Sequence, residues 1–257
     1  MTELVRYEVG GDVATITLDS PHNRNALSAQ LVSQLSARLA EAGADPAARA
    51  VVLTHTGRVF CAGADLKAAG TGSTADSGAA VMALLTAITE LPKPVIARIA
   101  GHVRAGGMGI VGACDLAVAA EGASFAFTEA RIGVAPAMIS LTTLDIMDPR
   151  QAARYYLTGE TFGSDVAAQV GLVTAAVPDG ELDGVVDGLV ARIRETSPQG
   201  SAETKTLLTA ARRERLAARG QEMAALSARL FASDEAQEGI HAFLERREPS
   251  WRSGPAS

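Results

Sequence analysis

The chain has 257 residues, 47% of them apolar and 20% charged, which is enough to bury one large core and excludes a largely disordered polypeptide. Its 29 acidic against 23 basic residues leave a net charge of −6, and the basic residues are scattered apart from short helical runs such as Arg212-Arg213, which argues against a nucleic-acid partner. No apolar run approaches the ~18 residues of a membrane span, and the opening MTELVRYEVGGDVATITLDS lacks the charged-then-apolar order of a signal peptide, so the expectation is a soluble cytoplasmic protein with no membrane partner.

VRYEV and VATITL are rich in β-formers and flank Gly10-Gly11-Asp12, so a hairpin opens the chain. Ser28 is placed to cap a helix over AQLVSQLSARLAEAGA, in which Leu31, Leu35 and Leu39 recur every four residues and Asp45-Pro46 closes the segment. RAVVLTHTG reads as a buried strand. GTGSTADSGAA, residues 70 to 80, is small and glycine-rich, and is expected to be a mobile surface loop before a helix that runs to Glu90. PVIARIAG and DLAVAA are the next strands, and FAFTEARIG is a short strand leading into a loop. From about residue 148 the pattern turns helical, with VTAAV the last strand signal. The two cysteines, Cys61 and Cys114, are too few for a disulfide framework and lie in apolar runs, where free buried thiols are expected. The fold class is therefore α/β, with a core over 1–195 and a helical region over 196–257.

The stretch RAGGMGIVGACD, residues 104 to 115, contains a literal G-x-G-x-x-G at Gly107 to Gly112. A dinucleotide fold needs the first glycine at the end of a strand and a helix of several turns after it. Here Gly101 to Gly106 intervene after PVIARIA, and the next strand follows within about two turns, so that reading fails. A glycine-rich turn opening a short helix remains, whose free N–H groups suit a developing negative charge. A second loop of similar character is GRVFCAGADLK, where the small residues Ala62-Gly63-Ala64 before Asp65 let backbone amides approach a ligand. Alone, each loop is equally an ordinary strand-to-helix turn. Together they can present one N–H apiece to a single oxygen, which is the geometry of an oxyanion hole.

The four histidines, His22, His55, His102 and His241, are dispersed without metal-ligand spacing, and no G-x-S-x-G or S-x-x-K marks a serine nucleophile. Glu129 stands out because its surroundings, FAFTEARIG, are mainly apolar, and desolvation there would raise its proton affinity toward neutrality. A salt bridge to Arg131 or a helix cap is the competing use of the same carboxylate.

The segments PHNRNAL, FCAGADLK, GH…GG…ACD, FTEARIGVAP, ARYYLTG with VGLV, and EGIHAFLERREPSW occur in an order and spacing that resemble the crotonase superfamily of enoyl-CoA hydratases and isomerases over nearly the whole chain. The resemblance implies a crotonase-like spiral of ββα turns, a C-terminal helical trimerisation region to which Leu226, Leu230, Phe231 and Phe243 are available, and assembly as a homotrimer or homohexamer. It implies an acyl-CoA thioester as substrate, with coenzyme A part of that substrate and no further cofactor or metal. Position by position, the amides of Ala64 and Gly106 match the two donors to the thioester oxygen, and Glu129 matches the second of the two glutamates of family hydratases. Ala62, Ala64, Asp65, Leu66 and Lys67 match the adenine and pantetheine path, and Arg24 sits where the family often places a basic residue near the coenzyme A phosphates, although a solvated loop arginine fits equally.

The first family glutamate falls on Gly109 and is absent, and Ala137 stands where dienoyl isomerases and dehalogenases tend to carry an aspartate. A single glutamate is compatible with a Δ3,Δ2-enoyl-CoA isomerase. GGMGIVGACD and EARIGVAPAMIS nevertheless resemble a bacterial branch of hydratases acting on methylglutaconyl-type thioesters, which favours a hydratase-type lyase. On that reading Gly109 is expected to leave space beside a branched acyl group. A non-catalytic acyl-CoA-binding or scaffold protein is the alternative of another class.

Overall fold

The computed structural model describes residues 2–66 and 74–252. β1 (Val5–Gly10) and β2 (Val13–Leu18) form the opening antiparallel hairpin, with Val5 opposite Leu18. α1 (Ala29–Ala44) starts where the Ser28 hydroxyl accepts the Leu31 N–H at 3.3 Å, and Leu31, Leu35 and Leu39 are all solvent-free on its inner face. The chain then runs the same route three times: a strand in a large sheet, a short strand in a small sheet, and a helix or tight turn. The first pass is β3 (Ala50–His55), β4 (Val59–Cys61) and α2 (Thr74–Glu90). The second is β5 (Val95–Ile99), β6 (His102–Arg104) and α3 (Gly106–Ala113), and the third is β7 (Leu116–Ala120), β8 (Ser124–Ala126) and a 3-10 turn over Glu129–Ile132. There follow α4 (Ser140–Thr143), α5 (Pro149–Thr158), β9 (Phe162–Gly163), α6 (Ser164–Gln169), β10 (Ala175–Val177), α7 (Leu182–Arg194), α8 (Pro198–Phe231) and α9 (Asp234–Glu245).

The large sheet has the order β1-β2-β3-β5-β7-β10, and every pair after the hairpin is parallel. Parallel strands are covered on both faces, which is why β3, β5 and β7 read as near-continuous apolar runs. One face carries the main core with α1, α2 and α3; on the other, Val52, Ile96 and Val118 meet Leu182, Val186 and Val190 of α7. The small sheet, β4-β6-β8-β9, is parallel except for β9. This is an α/β fold of successive ββα turns followed by helices. Both cysteines are buried free thiols.

α8 lies on the core of its own chain. Lys205, 3% exposed, pairs with Asp115 at 2.7 Å and donates to the carbonyls of Ile88 and Lys93, both at 3.0 Å, so the helix is tied to the ends of α2 and the α2–β5 connection. Leu226 is partly buried against the cluster of Met82, Leu216 and Met223 within its own chain. Residues 74–80, expected as part of a loop, are the first turns of α2, while residues 70–73 and Lys67 lie outside the described residues. The residues between PVIARIA and Gly107, to which the sequence assigns no element, contain β6, and β9 likewise has no sequence signal. Among the described residues no helix is long and apolar enough to cross a membrane.

Candidate active site

Three parallel strands of the small sheet deliver the three residues singled out by sequence. Cys61 of β4 is in register with Val103 of β6, and Val103 and Arg104 are in register with Phe125 and Ala126 of β8. Ala64 follows β4, Gly106 follows β6 and Glu129 follows β8, each within three residues of its strand end, so all three leave the sheet at the same edge.

The two amide loops touch. Gly63 has φ +84, and a Cβ there would lie 2.6 Å from Ala105 Cβ and 3.0 Å from the Gly106 nitrogen, so only glycine allows this approach. A Cβ on Gly106 would in turn stand 3.9 Å from the Ala64 nitrogen. Among the described residues neither the Ala64 N–H nor the Gly106 N–H has an acceptor. Gly106 is the first residue of α3, so its amide also carries the positive end of that helix. Ala105, just before it, is held at φ 46, a conformation that costs an alanine on the order of 1–3 kcal/mol and is typical of sites where backbone is aimed for function.

The PHNRNAL segment braces this pair of loops. Leu27 N–H donates to Gly63 C=O at 2.8 Å and Ala62 N–H donates to Arg24 C=O at 3.1 Å. Asn25 is solvent-free: its Oδ1 accepts the Ser20 N–H at 2.7 Å, and its Nδ2 donates to the Thr56 and Val59 carbonyls at 3.2 and 2.8 Å. Asn23 Nδ2 donates to Asp65 at 2.9 Å. Sequence reasoning selected Arg24, whose side chain is exposed, and passed over Asn25, which fixes the backbone on either side. The signal lay in the two asparagines that flank Arg24, since asparagine tolerates the left-handed conformation seen at Asn25, φ 51.

Glu129 is 8% exposed, and its Oε2 is buried with no hydrogen-bond partner among the described residues. Arg131 does not pair with it; its Nε donates to the Thr158 carbonyl instead, so the salt-bridge alternative fails. Burial pushes the Glu129 carboxyl up to about 7, against a small opposing pull from its own backbone. Because the folded value lies above the ordinary one of 4.5, the stability contributed by the bound proton is complete below pH 4.5 and is lost as pH rises through about 7. We therefore expect wild type to lose on the order of 3 kcal/mol relative to Glu129→Gln across that window. Melting both proteins at pH 4.5 and pH 8 measures it, and a difference independent of pH would show that Glu129 is not held in its acid form by the fold.

Gly109 does not open space, contrary to the expectation from sequence. A Cβ there would lie 2.5 Å from Ile139 Cγ2 and 3.0 Å from Ile139 Cβ, and one on Gly112 would lie 2.6 Å from the Thr142 carbonyl oxygen. These two glycines form one face of α3, against which α4 and Ile139 are seated, and Thr142 Oγ1 donates to the Gly109 carbonyl at 3.0 Å across the contact. Ile139 thus fills the position where a side chain from residue 109 would begin. A cavity of about 170 Å³, lined by Cys114, Asp115, Thr174, Leu208 and Arg212 among others, lies at the far end of α3 and shares no residue with the site. Its charged groups are already paired, Asp115 with Lys205 and Arg212 with Asp145.

Comparison with known proteins gives the family and the fold. Residues 8–254 match the family model described as enoyl-CoA hydratase/isomerase. The crystal structure of an enoyl-CoA hydratase from Mycobacterium avium superposes with a TM-score of 0.91 at 55% identity, covering 98% of this chain and 100% of that one. The carnitinyl-CoA dehydratase of Proteus mirabilis is 31% identical over 98% of this chain and 99% of its own. Enoyl-CoA hydratase domain-containing protein 3 of Danio rerio is 30% identical, covering 97% of this chain and 88% of its own. With a family match over residues 8–254 and relatives of 31% and 55% identity that cover nearly its full length, the chain belongs to the enoyl-CoA hydratase/isomerase family of the crotonase superfamily.

Proposed function

We propose that the protein is a hydratase-type lyase that adds water to, or removes it from, an acyl-CoA thioester, with Glu129 as its only acid/base. The observation that carries this reading is the buried Glu129 carboxyl, its Oε2 without a partner among the described residues, on the turn that follows β8, the strand paired with β6 from which the Gly106 loop leaves. The thioester oxygen would accept from the Ala64 and Gly106 N–H groups, and the negative charge that develops there is what such preorganised donors stabilise, each lowering the barrier by ~3 kcal/mol. In the carboxylate form Glu129 takes a proton from water as the water oxygen bonds to C3. The electrons of the double bond pass to the thioester oxygen, and the resulting acid returns its proton to C2. A carboxyl near neutrality makes both transfers close to balanced. The dehydratase and hydratase relatives support water chemistry.

A second reading is the Δ3,Δ2-enoyl-CoA isomerase, favoured by Ile139 occupying the place of a second carboxylate, so that one group would carry one proton between C2 and C4. Gly109 no longer argues for a branched acyl group. A panel of 2-enoyl, 3-enoyl and 3-methylglutaconyl thioesters followed by mass separates the readings. Gain of water supports the lyase and an isobaric shift the isomerase; tight binding without turnover would leave only a binding or scaffold role.

Arg24, Ala62, Asp65, Leu66 and Lys67 are proposed to line the coenzyme A path. Coenzyme A thioesters should then raise the melting temperature, by the equivalent of about 2.7 kcal/mol at a hundredfold excess over Kd, and NAD should not. The reverse pattern would overturn the assignment. We further propose a trimer or hexamer assembled through the helices after residue 195, where Leu207 and Leu208 are 79% and 80% exposed and Phe243 51%. Sedimentation as a monomer at micromolar concentration would contradict it.

A further inference from the structure

The loop that carries the Gly106 amide begins at Arg104, to which the sequence assigns no role. Its guanidinium is half-buried and spends its donors on uncharged partners: Nη1 donates to the Ser124 carbonyl at 2.6 Å and to the Val103 carbonyl at 2.9 Å, and Nη2 donates to the Ser124 hydroxyl at 2.9 Å. Burial draws its pKa down, and among the described residues no carboxylate offsets that. Ser124 Oγ, with its one proton, can accept from Arg104 and donate to His102 Nδ1, which lies 2.9 Å away. His102 and Arg104 both belong to β6, so β6 clasps Ser124 of β8 from either side of Val103. Backbone alone ties these strands weakly. They share two register pairs, Val103 with Phe125 and Arg104 with Ala126, and on the other side of β6 the register with β4 is irregular between Val59 and Cys61. Beyond Arg104 the chain passes through Ala105, at φ 46 and ψ −120, into Gly106. The Arg104 carbonyl oxygen would lie 3.2 Å from a Cβ on Gly63, so the residue meets one amide loop with its backbone while its side chain grips the strand that leads to Glu129.

We propose, resting on the role given to the Gly106 amide above, that Arg104 is a positioning residue: its guanidinium, closed on Ser124, holds the end of β6 so that the strained Ala105 peptide keeps the Gly106 N–H aimed at the thioester oxygen. A peptide held in a sparsely populated conformation relaxes unless the chain on both sides of it is fixed. On the far side α3 fixes it, with Met108 N–H donating to the Ala105 carbonyl at 2.8 Å. On the near side the ties are the Ala105 N–H, which donates to the Ala126 carbonyl at 3.1 Å, and the guanidinium. A planar guanidinium suits the task because its donors point in fixed directions, and so reach two carbonyls and a hydroxyl at once; a lysine ammonium is a single point on a flexible stem. The precision matters, since a displacement of about 1 Å in such a site can cost about a hundredfold in rate.

The test reads the amide donors directly, by isotope-edited infrared difference spectroscopy of butyryl-CoA carrying carbon-13 at the thioester carbonyl. The saturated acyl group has no double bond to hydrate or move, so the measurement needs no turnover. Hydrogen bonds to a carbonyl lower its stretching frequency, and the band on wild type should lie below that of the free thioester. In Arg104→Met, which keeps the apolar stem of the side chain, the band should return at least half-way to the free position. With the best substrate of the panel, kcat of that variant should fall about ten- to a hundredfold while KM stays within about threefold. Arg104→Lys should move the band the same way by less. Ala105→Gly placed on Arg104→Met should restore it, because glycine adopts that conformation without strain. An arginine that merely supports the fold would lower the melting temperature on removal and leave the band in place. A wild-type band in folded Arg104→Met, or in Arg104→Lys should the first variant not fold, would overturn the proposal, and a band that Ala105→Gly leaves unrestored would overturn the part given to Ala105. A wild-type protein whose band sits at the free position would instead remove the role of the Ala64 and Gly106 amides, so the two failures are told apart.

Discussion

Glu129→Gln is expected to lose 10²- to 10⁴-fold in turnover while keeping its affinity for a coenzyme A thioester within a few-fold. The amide preserves the shape of a side chain that is 8% exposed, so the surrounding packing and the two amide loops stay as they are. What is lost is the transferable proton, and Gly109, where a second carboxyl would stand, has no side chain to supply it. The loss should appear in kcat rather than KM, because the carboxyl acts on the reacting carbon and not on the coenzyme A path. Retention of more than a tenth of wild-type kcat would place the acid/base elsewhere.

Gly109→Ala should destabilise the fold although alanine is the better helix former. The new methyl would stand 2.5 Å from Ile139 Cγ2 and 3.0 Å from Ile139 Cβ, which side-chain rotation does not move, so the start of α4 must shift to relieve the clash. The Thr142 hydrogen bond to the Gly109 carbonyl opposes that movement. Overpacking of this kind costs about 1–3 kcal/mol, against up to ~1 kcal/mol regained from helix propensity. At about 2–4 °C per kcal/mol for a chain of this size, the melting temperature should fall by several degrees. Gly109→Glu should fall further, because it adds a buried carboxyl to the same clash, and it should not introduce a second catalytic carboxylate. Ile139→Ala combined with Gly109→Ala should recover part of the loss. A Gly109→Ala protein as stable as wild type would mean that α3 and α4 are not packed as described.

What could be read from the sequence was whatever has a period or a local stereochemical rule. Leu31, Leu35 and Leu39 repeat at helical spacing behind a serine cap, and β3, β5 and β7 are unbroken apolar runs, so the helix and the parallel sheet were legible residue by residue. β6 was not, because three residues, His102 to Arg104, with polar ends carry no alternation to detect; their strand exists only because β4 and β8 lie on either side. At the site, Glu129 was visible as a carboxyl in apolar company, and the two small-residue loops suggested donors. Their contact through Gly63 and Ala105 is long-range and had no local signature. Gly109 was misread for a similar reason: a glycine in a short helix signals either room or close packing, and only the position of Ile139, thirty residues on, decides which.

The account rests on an enolate held by the Ala64 and Gly106 amides and protonated at C2 by Glu129, and deuterium exchange at C2 tests that directly. Each thioester of the panel, with its saturated counterpart, is incubated with wild type and Glu129→Gln in heavy water and weighed. The predicted result is deuterium at C2 of at least one bound thioester with wild type, whether water is added or a double bond moves, and exchange at least 10²-fold slower with Glu129→Gln. Thioesters that bind tightly yet gain no deuterium, or that gain it equally with both proteins, would contradict it.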